Sequence, residues 1–134
     1  MKLSRILTMA ILAGLMTTVL SFTTIHPTSK AEFAEKTHQF NQIQVGTPVV
    51  TTFKFKNTSD KPLIVKNVKT SCGCTAPSYP KAPIFSGDSG EITVKYDAAK
   101  VGKFKKSITV QTNVDDAPII LYIEGEVIIL LLLS

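Results

Sequence analysis

Between Val49 and Asn57 the side chains alternate in strict period two, with Val49, Thr51, Phe53 and Phe55 on one side and Val50, Thr52, Lys54 and Lys56 on the other. Only an extended backbone puts residues i and i+2 on a common face, so this segment reads as a strand with one face buried. The same alternation returns twice. Ile92, Val94 and Tyr96 line up within Glu91 to Tyr96, and Phe104, Ile108, Val110 and Thr112 line up within Phe104 to Asn113, leaving Lys105, Ser107, Thr109 and Gln111 outside. Ile119 to Val127 reads as the last core strand, and polar turn sequences separate the runs. After residue 30 no stretch keeps a helical period for ten residues. The fold class expected is all-β: an immunoglobulin-like antiparallel β-sandwich of about seven strands, preceded by an N-terminal signal segment.

Other segments are less regular. Leu63 and Val65 point one way while Ile64 and Val68 point the other, so Leu63 to Thr70 is either buried on both faces or bulged. Pro77 to Pro83 carries three prolines in seven residues and cannot be a central strand. Ala31 to His38 is polar and reads as a linker or frayed start. Asn57 to Pro62 reads as a polar turn; Asn57-Thr58-Ser59 also matches a glycosylation acceptor, but turn chemistry accounts for it. The expected core is Phe40, Phe53, Phe55, Ile92, Val94, Tyr96, Phe104, Ile108, Val110 and Leu121, each contributing about 1.5–3 kcal/mol on full burial. With no Trp and no widely spaced cysteines, the chain lacks the inter-sheet disulfide of antibody domains.

Lys2 and Arg5 precede an uncharged apolar stretch of fifteen residues, Ile6 to Leu20, which fits a secretory signal and is short for a membrane-spanning helix of about 20 residues. The expected organisation is a signal peptide and linker over 1–30 and one immunoglobulin-like domain over 31–134, exported to the periplasm or cell envelope. Membrane contact would then come only through the N-terminal segment if uncleaved. Removing residues 1–30 takes Lys2, Arg5 and Lys30 from the 15 basic residues and leaves twelve against ten acidic ones, a net of +2. No Arg remains, which argues against nucleic-acid or phosphate recognition. Lys103, Lys105 and Lys106 form a local cluster, but on a strand the first two face opposite to the third.

Cys72 and Cys74 are the whole cysteine content. In an exported chain such a pair forms a disulfide, binds a metal or does redox work. An extended strand would hold the two residues about 6.5 Å apart, beyond disulfide reach. Gly73 could take positive φ and fold the tripeptide into a tight turn. The ring so closed would gain little chain-entropy stabilisation and be comparatively reducible. Of metals, Cu(I) suits two thiolates, whereas zinc would need four ligands. No cofactor motif and no catalytic constellation is legible, His38 included, so the chain reads as a non-enzyme. The apolar run Val127 to Leu133 is core, an edge strand that pairs with another chain, or an altered C-terminus.

Phe53-Lys54-Phe55-Lys56-Asn57-Thr58, Pro62-Leu63-Ile64-Val65, Thr70-Ser71-Cys72-Gly73-Cys74-Thr75, Gly90 to Tyr96, and Gly102-Lys103-Phe104 with Ser107 to Asn113 resemble the exported bacterial DUF1573 family over roughly Phe40 to Val127. The resemblance implies an immunoglobulin-like domain related to Hydin-type ASH domains, placed in the cell envelope. It supplies no activity. The expected function is a non-catalytic interaction or assembly module with a protein partner in the envelope, reached by β-strand pairing. The alternative is a thiol-redox or Cu(I)-handling protein acting through Cys72-Gly73-Cys74.

Overall fold

A computed structural model describes residues 29–131; the proposed signal segment lies outside the described residues. The strands are β1 (Ala31–Phe33), β2 (Thr37–Gln44), β3 (Val49–Asn57), β4 (Val65–Thr70), β5 (Thr75–Ser78), β6 (Ser89–Tyr96), β7 (Gly102–Thr112) and β8 (Ile119–Ile128). They form two four-stranded sheets, ordered β1-β3-β6-β5 and β2-β8-β7-β4. This is the two-sheet order of an immunoglobulin-like sandwich, with its first edge divided between the sheets as β1 and β2.

Period-two burial places the core where the alternation puts it. Phe53, Ile92, Ile108, Leu121 and Ile123 are fully enclosed between the sheets, and Phe55, Val94, Tyr96, Phe104 and Val110 join them. Phe40 is only half-buried, because β2 is an edge strand with a neighbour on one side. Phe33 packs tilted against Phe55 with ring centroids 5.0 Å apart, and Tyr96 stacks on Phe104 at 4.3 Å. Each pair fills the sandwich at one point of contact.

Three readings of the sequence need correction, and two that it leaves open are decided. The described residues form eight strands against the roughly seven that the sequence predicts, because Ala31 and Phe33 are not linker but are buried in β1, which pairs antiparallel with β3. The sandwich is not wholly antiparallel, since β2 runs parallel to β8. The conflict of phase between Leu63 and Val68 is a bulge: the register shifts between Val65 and Asn67, so Leu63, Val65 and Val68 are all buried and Ile64 is exposed. Asn57 is no exposed turn residue but wholly buried. The C-terminal run divides residue by residue, because Val127 is buried in β8, an inner strand between β2 and β7, whereas residues 129–131 lie beyond it and are exposed. Pro77, for its part, sits on β5, an edge strand, where its missing N–H breaks no inner ladder.

One polar device and one close backbone approach fix local geometry. Asp115 accepts from the Lys30 amide at 2.6 Å, the Thr112 hydroxyl at 2.8 Å and the Ser29 hydroxyl at 3.0 Å, tying the start of β1 to the turn between β7 and β8. Asn41, at φ 58°, sits in the irregularity of β2 in a conformation that Asn tolerates better than most residues. Its carbonyl comes so near Gly125 that a Cβ there would lie 2.9 Å from the oxygen, so only glycine fits in β8 at that point.

Candidate functional site

Cys72 and Cys74 are joined by a disulfide, with Cα atoms 5.3 Å apart. The chain leaves β4 at Thr70 and enters β5 at Thr75, and a turn between them shortens the spacing from its extended value. Gly73 does not take the positive φ expected of it. The turn is held instead by hydrogen bonds around it: Thr75 N–H donates to the Cys72 carbonyl at 3.4 Å, and the Thr70 hydroxyl lies 2.9 Å from that carbonyl and 3.2 Å from that of Thr75. Ser71 N–H donates to Ser107 O at 3.0 Å, Ser107 N–H to the Ser71 hydroxyl at 3.1 Å, and Asp97 N–H to the Cys74 carbonyl at 3.0 Å. The pair is thus anchored to both sheets.

Both cysteines are half-buried, and Cys74 packs against the core. Thr75 is 4% exposed, and its hydroxyl lies 3.5 Å from Cys72 Sγ and 3.9 Å from Cys74 Sγ. Sequence reasoning missed this residue, although it closes the Cys-Gly-Cys-Thr element. The sulfurs face a groove of about 450 Å³. Its charged lining comprises Lys100, Lys103 and Lys106 against Asp97, so it is net cationic. Tyr96 also lines it; burial, and then the Asp97 carboxylate, raise its phenol above the ordinary tyrosine range, so it stays neutral there. Lys105 belongs elsewhere: it pairs with Glu124 at 3.0 Å and lies over the Tyr122 ring.

Among the described residues no group of three or more His, Cys, Asp or Glu side chains could hold a metal ion. Cu(I) ligation by Cys72 and Cys74 would require their reduction first, because a disulfide sulfur is not a thiolate. His38 lies on β2 with Nδ1 3.2 Å from Glu35 and its ring edge-on to Phe40, in no constellation with the cysteines.

The strand registers bring four segments to the disulfide end of the sandwich. Val49 and Thr75 both lie opposite Tyr96, Gly102 opposite Val127, and Gln44 opposite Ile128. The turns 45–48, 71–74 and 97–101 and the segment 129–131 therefore share one pole. Of the seven exposed large apolar side chains among the described residues, Val50, Val101, Ile129, Leu130 and Leu131 lie at or beside this pole, and Ile64 and Phe85 at the other. A second groove, of about 680 Å³, runs along β1, β3 and β6 between Lys54, Lys56, Glu32 and Glu91 and holds no reactive side chain of its own.

No curated protein matches the sequence. Solved structures similar in fold include a protein of unknown function from Porphyromonas gingivalis W83, at 14% identity and TM-score 0.63 over 80% of this chain and 51% of that one. This chain thus spans about half the length of that protein. Similar too is the ASH/PapD-like domain of human CEP192 (PapD-like domain 7), at 13% identity and TM-score 0.61 over 87% of this chain and 97% of that one. The YadV chaperone matches at 11% identity and TM-score 0.50 over 79% and 55%. At these identities the likeness is one of fold, an ASH/PapD-like immunoglobulin-like sandwich. Family membership comes from the sequence itself: the profile of DUF1573, described as a protein of unknown function, matches residues 31–127, and the chain belongs to that family.

Proposed function

We propose that this chain is an exported, non-catalytic immunoglobulin-like module that binds a protein partner in the cell envelope through its disulfide pole. One observation carries the reading: five of the seven exposed large apolar side chains among the described residues lie at or beside one end, around a lysine-lined groove. Scattered apolar side chains need no explanation, but a concentrated set rimmed by charge marks a contact surface. The groove's charge favours an acidic, extended segment of the partner. Export is supported by the basic and apolar N-terminal sequence, and by a cysteine pair held as a disulfide.

Capture from an envelope fraction tests this. Protein carrying Val101→Glu and Leu130→Glu is expected to retain its partner about tenfold less than wild type, whereas Phe85→Glu at the opposite pole is expected to retain it fully. Equal loss from both poles would contradict the assignment, and a protein confined to the cytosol would contradict export.

A second reading, thiol–disulfide exchange through Cys72 and Cys74, is favoured by the buried Thr75 hydroxyl lying against both sulfurs. It is compatible with the first, since each oxidised copy would deliver one disulfide to whatever docks at the pole.

A further inference from the structure

We infer that the Cys72–Cys74 disulfide is a two-electron oxidant for a dithiol peptide segment of acidic character, with the Thr75 hydroxyl stabilising the departing Cys72 thiolate. This rests on the thiol-exchange reading and adds the substrate class and the group that assists departure.

Thr75 carries the chemical argument. Its hydroxyl is buried, and the described residues offer it no side-chain partner except the two sulfurs. A disulfide sulfur accepts a hydrogen bond weakly, whereas a thiolate accepts one strongly. The contact therefore strengthens as the sulfur–sulfur bond breaks, which is the condition for an interaction to accelerate a step. Cys72 Sγ is the nearer of the two, at 3.5 Å against 3.9 Å, and so is the better leaving group. The charged groups facing the sulfurs are Lys100, Lys103 and Lys106, opposed by Asp97, with Tyr96 neutral. A cationic surrounding lowers the cost of a thiolate and draws in an acidic peptide.

The electrons balance as follows. A peptide thiolate attacks Cys74 Sγ, forming a mixed disulfide as the Cys72–Cys74 bond breaks. Cys72 leaves with the bonding pair, accepts the Thr75 hydrogen bond and takes a proton from water. The second peptide thiolate then attacks the peptide sulfur of the mixed disulfide and expels the Cys74 thiolate, which is protonated in turn. The peptide has lost two electrons to become a disulfide, and the cysteine pair has gained them as a dithiol.

The test uses the oxidised full chain and two synthetic dithiol peptides, one with glutamates flanking its cysteines and one with lysines. An oxidised peptide of residues 70–76 serves as the reference. At low salt the glutamate peptide is expected to be oxidised about tenfold faster than the lysine peptide, with the gap closing as salt rises. Thr75→Val is expected to slow exchange about tenfold, and Thr75→Ser to restore it. A further readout is independent of exchange: the thiol of Cys72 in Cys74→Ser should be more acidic than that of Cys74 in Cys72→Ser. Exchange faster than the reference but without charge preference would overturn the acidic substrate alone. Exchange no faster than the reference would overturn the thiol-exchange reading with it. Equal thiol acidities, or Thr75→Val exchanging as fast as wild type, would remove the role of Thr75.

Discussion

Asn57→Ala is expected to lower folding stability by about 3–5 kcal/mol, as much as a large core truncation, although the residue is polar and sits at the end of a strand. Its side chain is completely enclosed. Nδ2 donates to the Lys61 carbonyl at 2.7 Å and the Ile84 carbonyl at 2.9 Å, while Oδ1 accepts from the Ser59 amide at 3.0 Å and the Ser59 hydroxyl at 2.7 Å. Alanine removes both donors and the acceptor at once. Four hydrogen bonds are lost at about 0.5–1.5 kcal/mol each, with the Ile84 carbonyl keeping only the Leu63 amide and the Lys61 carbonyl only the Ser59 hydroxyl, and no apolar contact replaces them. The loop after β3 and the segment around Ile84 lose their common anchor together. Asn57→Asp keeps the shape and the Ser59 contacts but turns a carboxylate toward two carbonyls, so it is expected to cost at least as much. Urea unfolding should show the midpoint falling with the slope unchanged. A loss below about 1 kcal/mol for Asn57→Ala would mean that the hub does not organise this end.

Phe53→Ala is the second large effect, at about 3–5 kcal/mol. Phe53 is fully buried on β3, opposite Ile92 of β6, with β1 on the other side of its strand. Truncation removes a ring from the centre of the sandwich, and the paired strands around it can close the space only in part. Phe53→Leu keeps most of the volume and is expected to cost under about 1.5 kcal/mol. The same unfolding measurement separates the two, and equal losses would show that volume is not what Phe53 supplies.

The two residues mark what the sequence made legible. Phe53 announces itself because its neighbours at i±2 repeat its character, and Ile92, Val94, Ile108 and Val110 do the same. Asn57 has no such signal: a buried amide that organises a loop and an exposed amide that begins a turn have the same composition around them. Strand β1 is three residues long, too short for alternation to show, and its burial comes from long-range pairing with β3 and the packing of Phe33 on Phe55. The bulge before Asn67 hid Val68 by reversing the phase in mid-strand. At the site, Cys72 and Cys74 were visible by type alone. Thr75 was not, because nothing local distinguishes a threonine that faces sulfur from one that fills a β-strand. The pole itself is a product of register, drawing together turns 45–48, 71–74 and 97–101 with the end of β8 from four separate stretches of chain.

That the disulfide pole is the partner-binding face is tested most directly by site-specific photocrosslinking in living cells. With a photoreactive side chain at position 101, beside the disulfide groove, irradiation is expected to yield a discrete adduct with one envelope protein; the same group at position 85, on the opposite pole, is expected to yield none. An adduct formed at position 85 and absent at 101 would contradict the assignment.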